Sequence, residues 1–360
     1  MAILILGANG IIAMVRDFRL DAVRLMANYL VVLIHAWAAF QYCVRDNMEF
    51  HFWQFVCNGV GGVAMPALFL VSGYLMSCNM GEYVSKIKRR VRRLVVPFVA
   101  WNLVFVAFYI LLAGLFPRLS QRVEQFGLDS IWGILSKTVS LFDAPIDMPL
   151  WYLRAVFFYC LVSVVFGYGI KKIGIAVVAI VAIVSLYFSV MLGYGDKMQF
   201  VCPTYSIVAF VLGMTMAGRG VSPFVIFKHP VWGVVGFMGM SLLGYLFICD
   251  WWTYSIWKDV ANVMAMPFLF FVAKMIPEWF TKTKFCAFLQ RSSFFVYGGH
   301  FLFCSCLLHV MASYVKLDLG KLTLLIALFF LGVPLMWGIY AVACRIRVLR
   351  KGMRLLDGTL

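Results

Sequence analysis

Arg24 and His35 are the residues from which a reaction is most directly argued. They lie in the stretch Asp17–Tyr42, DFRLDAVRLMANYLVVLIHAWAAFQY, which reads as one apolar helix long enough to cross a bilayer. At about 100° per residue, Asn28 falls roughly 40° from Arg24, and His35 returns to within roughly 20° of it. Arg24, Asn28 and His35 therefore share one stripe, with Arg24 and His35 about 16 Å apart along the axis. An imidazole at that depth suits general-base removal of a hydroxyl proton near neutral pH. A guanidinium near the helix start suits phosphate, and Asp21, one turn earlier, is placed to orient it or to hold part of the ligand. Ionisable groups inside a membrane span are costly and mark functional paths. A polar cluster that only pins helices together gives the same pattern.

A second constellation is KIKRRVRRLVVP, Lys86 to Pro97, with six basic residues between Lys86 and Arg93. Its plain reading is a lipid-headgroup anchor that sets orientation. Its functional reading is a cradle for a polyanionic cytosolic ligand, with Arg89, Arg90 and Arg93 pairing bidentately with phosphates. Single candidates follow. Arg154, after the interfacial aromatics Trp151 and Tyr152, either snorkels outward or binds an anionic part of a substrate. His300 is a site residue or a satisfied core histidine, and His309 reads as structural. His51 and His229 fall near span ends, where histidine needs no special reason. Trp251, Trp252 and Trp257 form an aromatic belt or a sugar-stacking platform. The ten cysteines are scattered through apolar runs without zinc-type spacing and read as core residues, so no metal site is expected.

The elements that must position these groups are membrane spans. Of the 360 residues, 64% are hydrophobic and 13% charged, against about 45–50% and 25% in soluble domains. Ten candidate spans cover about 20–42, 52–78, 94–116, 150–168, 173–192, 201–217, 230–248, 258–276, 293–315 and 322–343. The expected fold is an all-α polytopic bundle of about ten transmembrane helices, one domain over 1–360, with 1–16 a lead-in segment and 344–360 a tail. The net charge of +16 would suggest nucleic acid in a soluble protein. Here the basic residues concentrate on alternate loops, which places both termini in the cytoplasm and excludes a nucleic-acid partner. The longest outer loop, Pro117 to Pro149, contains the apolar piece Ile131–Leu141. It is expected on the membrane surface or dipping back into the bundle as a lid. Gly59, Gly61, Gly62 and Gly73 in the second span promise close helix approach, with a kink at Pro66.

Five segments then resemble, in order, acyltransferase family 3. LDAVRLMANYLVVLIHA carries its R-x10-H signature at Arg24 and His35. FLVSGYLMS matches its Ser-Gly segment at Ser72 and Gly73, and RRVRRLVVP matches RRxxR…P at Arg89, Arg90, Arg93 and Pro97. PLWYLRAVFFYCLVS is similar to its Trp-Phe-Leu span, with Tyr152 where Phe is common. SFFVYGGH is similar to its late S-x-x-x-Y-x-x-H helix, ending at His300. The resemblance implies an integral membrane enzyme of about ten helices that moves an acyl group, usually acetyl, from cytosolic acyl-coenzyme A to a carbohydrate hydroxyl. The extra extracytoplasmic domain of some family members is not found in these residues.

Residues and resemblance together give an expected O-acyltransferase of the inner membrane. His35 is its base, either directly or through transient acylation of the imidazole. Arg24, Arg89, Arg90 and Arg93 hold the donor, with Asp21, Asn28, Ser72, Arg154 and His300 in support. Acyl-CoA is a substrate, not a resident cofactor; the other partners are a glycoconjugate acceptor and membrane lipids, with a homo-oligomer permitted. A ten-helix exporter of a glycan or small polar solute is the alternative, since buried charges and a lidded outer cavity serve it equally.

Overall fold

The computed structural model describes residues 5–6, 12–13, 17–40, 57, 60–77, 88–114, 117–140, 145–173, 180, 204–229, 231, 234–235, 238, 251–314 and 331–357. The candidate spans at 173–192 and 230–248 lie largely outside these, as does His51. All but two short pieces of regular structure are helical: Ile5–Leu6 and Ile12–Ala13 form a two-residue antiparallel pairing in the lead-in segment. The reason is compositional, because long apolar runs without water to pair their backbone satisfy every peptide group internally only as helices.

In chain order the helices are α1 (Phe18–Phe40), α2 (Ala64–Ser77), α3 (Lys88–Ala113), α4 (Pro117–Gln125), α5 (Ile131–Val139) and α6 (Trp151–Ile173). They continue with α7 (Thr204–Gly218), the short α8 (Pro223–Ile226), α9 (Trp251–Met275) and the short α10 (Glu278–Thr281). The last three are α11 (Lys284–Tyr314), α12 (Gly332–Arg345) and α13 (Arg347–Leu356). Among the described residues α3 alone is both long and apolar enough to cross a membrane by length and composition, with shorter apolar stretches in α2, α6, α7 and α9. The sidedness of burial is that of a membrane protein. Helix α3 buries Asn102 while exposing Leu103, Ile110 and Leu111, and α5 buries Thr138 while exposing Ile131, Trp132 and Leu135. In water the opposite arrangement is favoured.

The core forms where α1, α2, α7 and α11 meet. Helices α2 and α7 approach through reciprocal glycines: a Cβ on Gly73 would fall 2.0 Å from the Phe210 carbonyl oxygen, and one on Gly213 would fall 2.0 Å from that of Leu70. The close approach expected from the glycines of the second span is thus real, with a partner glycine in α7. The anticipated kink at Pro66 takes another form. The helix breaks at Val63 and restarts at Ala64, leaving Pro66 in the first turn of α2, where its missing N–H costs nothing. Gly213→Val should force the two backbones apart and cost at least about 1–3 kcal/mol. Gly338→Ala, where an added Cβ meets nothing within 4 Å, should be neutral. Thermal inactivation of the two variants in one detergent measures the difference.

The segment after α3 turns back on it. Ser120 donates to the Ala113 carbonyl at 2.7 Å, Tyr109 and Phe126 meet edge to face at 5.7 Å, and Asn102 donates to the Thr138 carbonyl at 3.4 Å. Helices α4 and α5 therefore run back along α3, so of the two expected arrangements the structure adopts the one that dips into the bundle. Helix α6 consequently starts inside the bundle and not at an outer rim. The tail carries a helix that hydropathy did not announce, α13, whose Leu356 carbonyl accepts from the Trp101 indole at 3.0 Å.

Candidate functional site

Helix α1 presents its polar stripe as the periodicity predicts, and other helices complete it at both ends. At the lower end Arg24 is about half exposed, with Nη1 3.9 Å from Asp21 Oδ1. Arg19 below it binds Asp17 at 2.7 Å and stacks over the Phe224 ring at 4.5 Å. The hydrogen-bonded Asp17 carboxylate raises the Arg19 pKa further above its ordinary value. Asn28 lies half-buried one turn above Arg24.

The second basic element is not the loop that the sequence suggested. Lys88 onward is already helical, and Val91–Val95 forms a π-helical turn running directly into the α-helical part of α3. Pro97 supplies the reason: it has no N–H to return to the Arg93 carbonyl, so the ladder widens just before it. The wide turn separates the arginines by direction. Arg89, Arg92 and Arg93 are exposed, whereas Arg90 turns inward, within Coulombic range of Arg24, Arg93, Tyr152 and Cys160. The structure thus brings Arg24 and Arg90 together from two distant segments.

Tyr152 closes this end. Its hydroxyl shares a 2.8 Å hydrogen bond with the Ser72 hydroxyl and donates to the Leu68 carbonyl at 3.3 Å, and it lies within range of both Arg24 and Arg90. Ser72 is therefore engaged with Tyr152, a residue that sequence reasoning noted as an interfacial aromatic and a departure from Phe. From Tyr152 an unbroken run of rings leads to the other end of the stripe. Tyr152 and Tyr297 lie 6.2 Å apart between centroids, Tyr297 and His300 6.1 Å, and His300 and His35 5.1 Å. Gly298, inside this motif, admits the Trp101 ring, whose Nε1 lies 2.3 Å from where a Cβ would stand.

His300 is thus brought directly against His35. Its Nδ1–H donates to the Tyr297 carbonyl at 2.6 Å, with the Val296 carbonyl at 3.2 Å. That assigns the tautomer and leaves Nε2 as the bare acceptor, buried without a protein partner. His35 rests edge-on against Phe301 at 5.7 Å, which limits its rotation. Two imidazoles in contact, one of them with an unpartnered ring nitrogen, form a group that can accept a hydroxyl proton.

Arg154 does not snorkel outward. It is buried, and its Nη1 donates to the Ser140 carbonyl, tying α6 to the end of α5. Sequence reading missed a second buried group, Asn102, Thr138 and Asp147, from three separate segments. Asn102 Nδ2 holds the Thr138 carbonyl, and its Oδ1 accepts from the Asp147 N–H at 3.2 Å. Among the described residues the Asp147 carboxyl finds no partner, and burial pushes its pKa well above the usual carboxylate range. The folded protein therefore favours the protonated form. Asp147 withdraws stability as pH rises from its unfolded pKa through the raised folded one. Among the described cysteines, Cys57, Cys160, Cys286 and Cys304 are buried and Cys344 is half-buried, and no metal-binding group occurs among the described residues.

A family model described as an acyltransferase domain matches residues 17–341, nearly the whole chain and every segment of this site. No curated protein and no solved structure gives a significant match.

Proposed function

We propose a reaction from one premise: the chain belongs to the acyltransferase 3 family and is a membrane acyltransferase. An acyl group, acetyl in our reading, passes from cytosolic acyl-coenzyme A to a hydroxyl of a carbohydrate or cell-envelope glycan precursor. Since the family is one of acyltransferases, the exporter reading is not carried further. The supporting observation is the pairing at each end of α1: Arg24 with Arg90, and His35 with His300.

The arginines Arg24 and Arg90, with Arg89 and Arg93 at the rim, receive the coenzyme's phosphates. The pantetheine arm follows the run from Tyr152 past Tyr297, so the thioester carbonyl arrives beside the histidines. His35 takes the acceptor's proton as its oxygen attacks that carbonyl carbon. The tetrahedral intermediate then collapses with cleavage of the C–S bond, and the coenzyme thiolate leaves and is protonated. His300, its Nδ1–H anchored to the backbone, packs against the His35 ring and keeps it in register. Asp21 orients Arg24, Asn28 lines the stripe, and Ser72 and Arg154 brace the walls through Tyr152 and Ser140. About ten helices, with both termini cytoplasmic in the inner membrane, place the arginines on the donor side.

Acetyl-CoA should stabilise the purified protein against heat, by about 2.7 kcal/mol at a hundredfold excess over its dissociation constant. Label should also pass from radiolabelled acetyl-CoA to a glycan fraction of the source membranes. Failure of both results would end the reading.

A further inference from the structure

We propose that Asp147 and Thr138 form a subsite for the hydroxyl groups of a neutral, polyhydroxylated acceptor. The inference rests on the reading above, in which the acceptor is a carbohydrate, and goes further by naming where it is held.

Asp147 is fully buried, and among the described residues neither of its carboxyl oxygens has a partner. Thr138, 5% exposed, likewise has no partner for Oγ1 among them. Main-chain bonds to one side chain bring the two residues together: Asn102 donates to the Thr138 carbonyl at 3.4 Å and accepts from the Asp147 N–H at 3.2 Å. Three side-chain oxygens of the two residues are left over. Buried polar atoms nearly always find a protein, water or ligand partner, so these call for an occupant. The scaffold is also strained on purpose or at a cost. Ser140, between the two residues, holds a left-handed φ of 44°, and the buried Arg154 is bonded to its carbonyl.

The chemistry of the atoms selects the occupant. A carboxyl group and a hydroxyl accept and exchange hydrogen bonds with vicinal hydroxyls. A neutral polyol both donates to and accepts from such groups without bringing a charge into a buried site. The position also fits. The Tyr297 hydroxyl donates to the carbonyl of Pro149, two residues after Asp147, and His300 follows Tyr297 by one turn on α11. A sugar anchored at Asp147 and Thr138 therefore lies on one flank of Tyr297, with the histidine pair on the other. Ordered water is the competing occupant.

The test uses the full chain in lipid nanodiscs, with methyl glycosides of glucose, galactose, mannose and N-acetylglucosamine as probes and acetyl-CoA as a separate arm. At least one glycoside should raise the thermal midpoint of the wild type saturably. Its apparent affinity should fall roughly tenfold or more in Asp147→Leu and in the isosteric Thr138→Val. The acetyl-CoA shift should be the same in all three. Thr138→Val keeps the comparison decisive if the leucine variant does not fold. No glycoside shift in the wild type, or an equal shift in wild type and variants, would mean ordered water only and overturn the subsite. Loss of the acetyl-CoA arm alone would instead strike the donor reading, with the glycoside arm still deciding this one.

Discussion

His35→Ala should leave the bundle assembled and lower acyl transfer by about 10²–10⁴-fold, the usual worth of a positioned acid–base group. Folding is expected to survive because His35 is only partly buried and contacts Phe301 and His300 through its ring, with α1 held by many other core residues, among them Val23, Ala27, Val31 and Ala36. The measurement is turnover of radiolabelled acetyl-CoA, beside a thermal midpoint and the acetyl-CoA shift of the same preparation. The shift should persist, since the arginine end is about three turns away. The companion variant is His300→Gln, which keeps a polar group in α11 while removing the bare Nε2. It should lose less activity than His35→Ala. The reverse order would make His300 the base and His35 its support. Near-normal turnover in both variants would remove the pair from the chemistry.

The stripe on α1 was legible because helical periodicity is a local property, and Arg24, Asn28 and His35 need only their own backbone to align. The resemblance placed His300 in a late helix, but its contact with His35 depends on how α11 packs against α1, which no spacing encodes. The split among the arginines was hidden for another reason. Arg89, Arg90 and Arg93 look equivalent in sequence, and the π-helical turn imposed by Pro97 decides which one faces inward. Asp147, Asn102 and Thr138 escaped notice altogether. They come from three segments, and they meet only because α4 and α5 return along α3, a fold that the apolar length of Ile131–Val139 suggested without giving its register.

Arg90→Ala should raise the KM for acyl-CoA by roughly tenfold to a hundredfold, the worth of one or two hydrogen bonds to a charged group, with little change in kcat. Arg92→Ala, exposed on the same turn, should change neither and serves as the control. Arg90 lies within range of both Arg24 and Arg93, and among the described residues none of the charges acting on Arg90 is a carboxylate. The Asp21 carboxylate sits 3.9 Å from Arg24. Guanidinium groups within range of one another repel, most where one is drawn inward as Arg90 is. Removing one from the empty protein should therefore leave stability unchanged or raise it, whereas removing it from the donor complex should weaken binding. A lipid anchor predicts the opposite pair of results: unchanged KM, with altered orientation or dependence on anionic lipid. Kinetics and cysteine accessibility measured on the same variant separate the two. The Arg90→Lys variant sharpens the outcome, because a point charge restores Coulombic attraction without the planar fork. Partial recovery of KM in that variant would identify bidentate phosphate pairing as the reason that an arginine stands there.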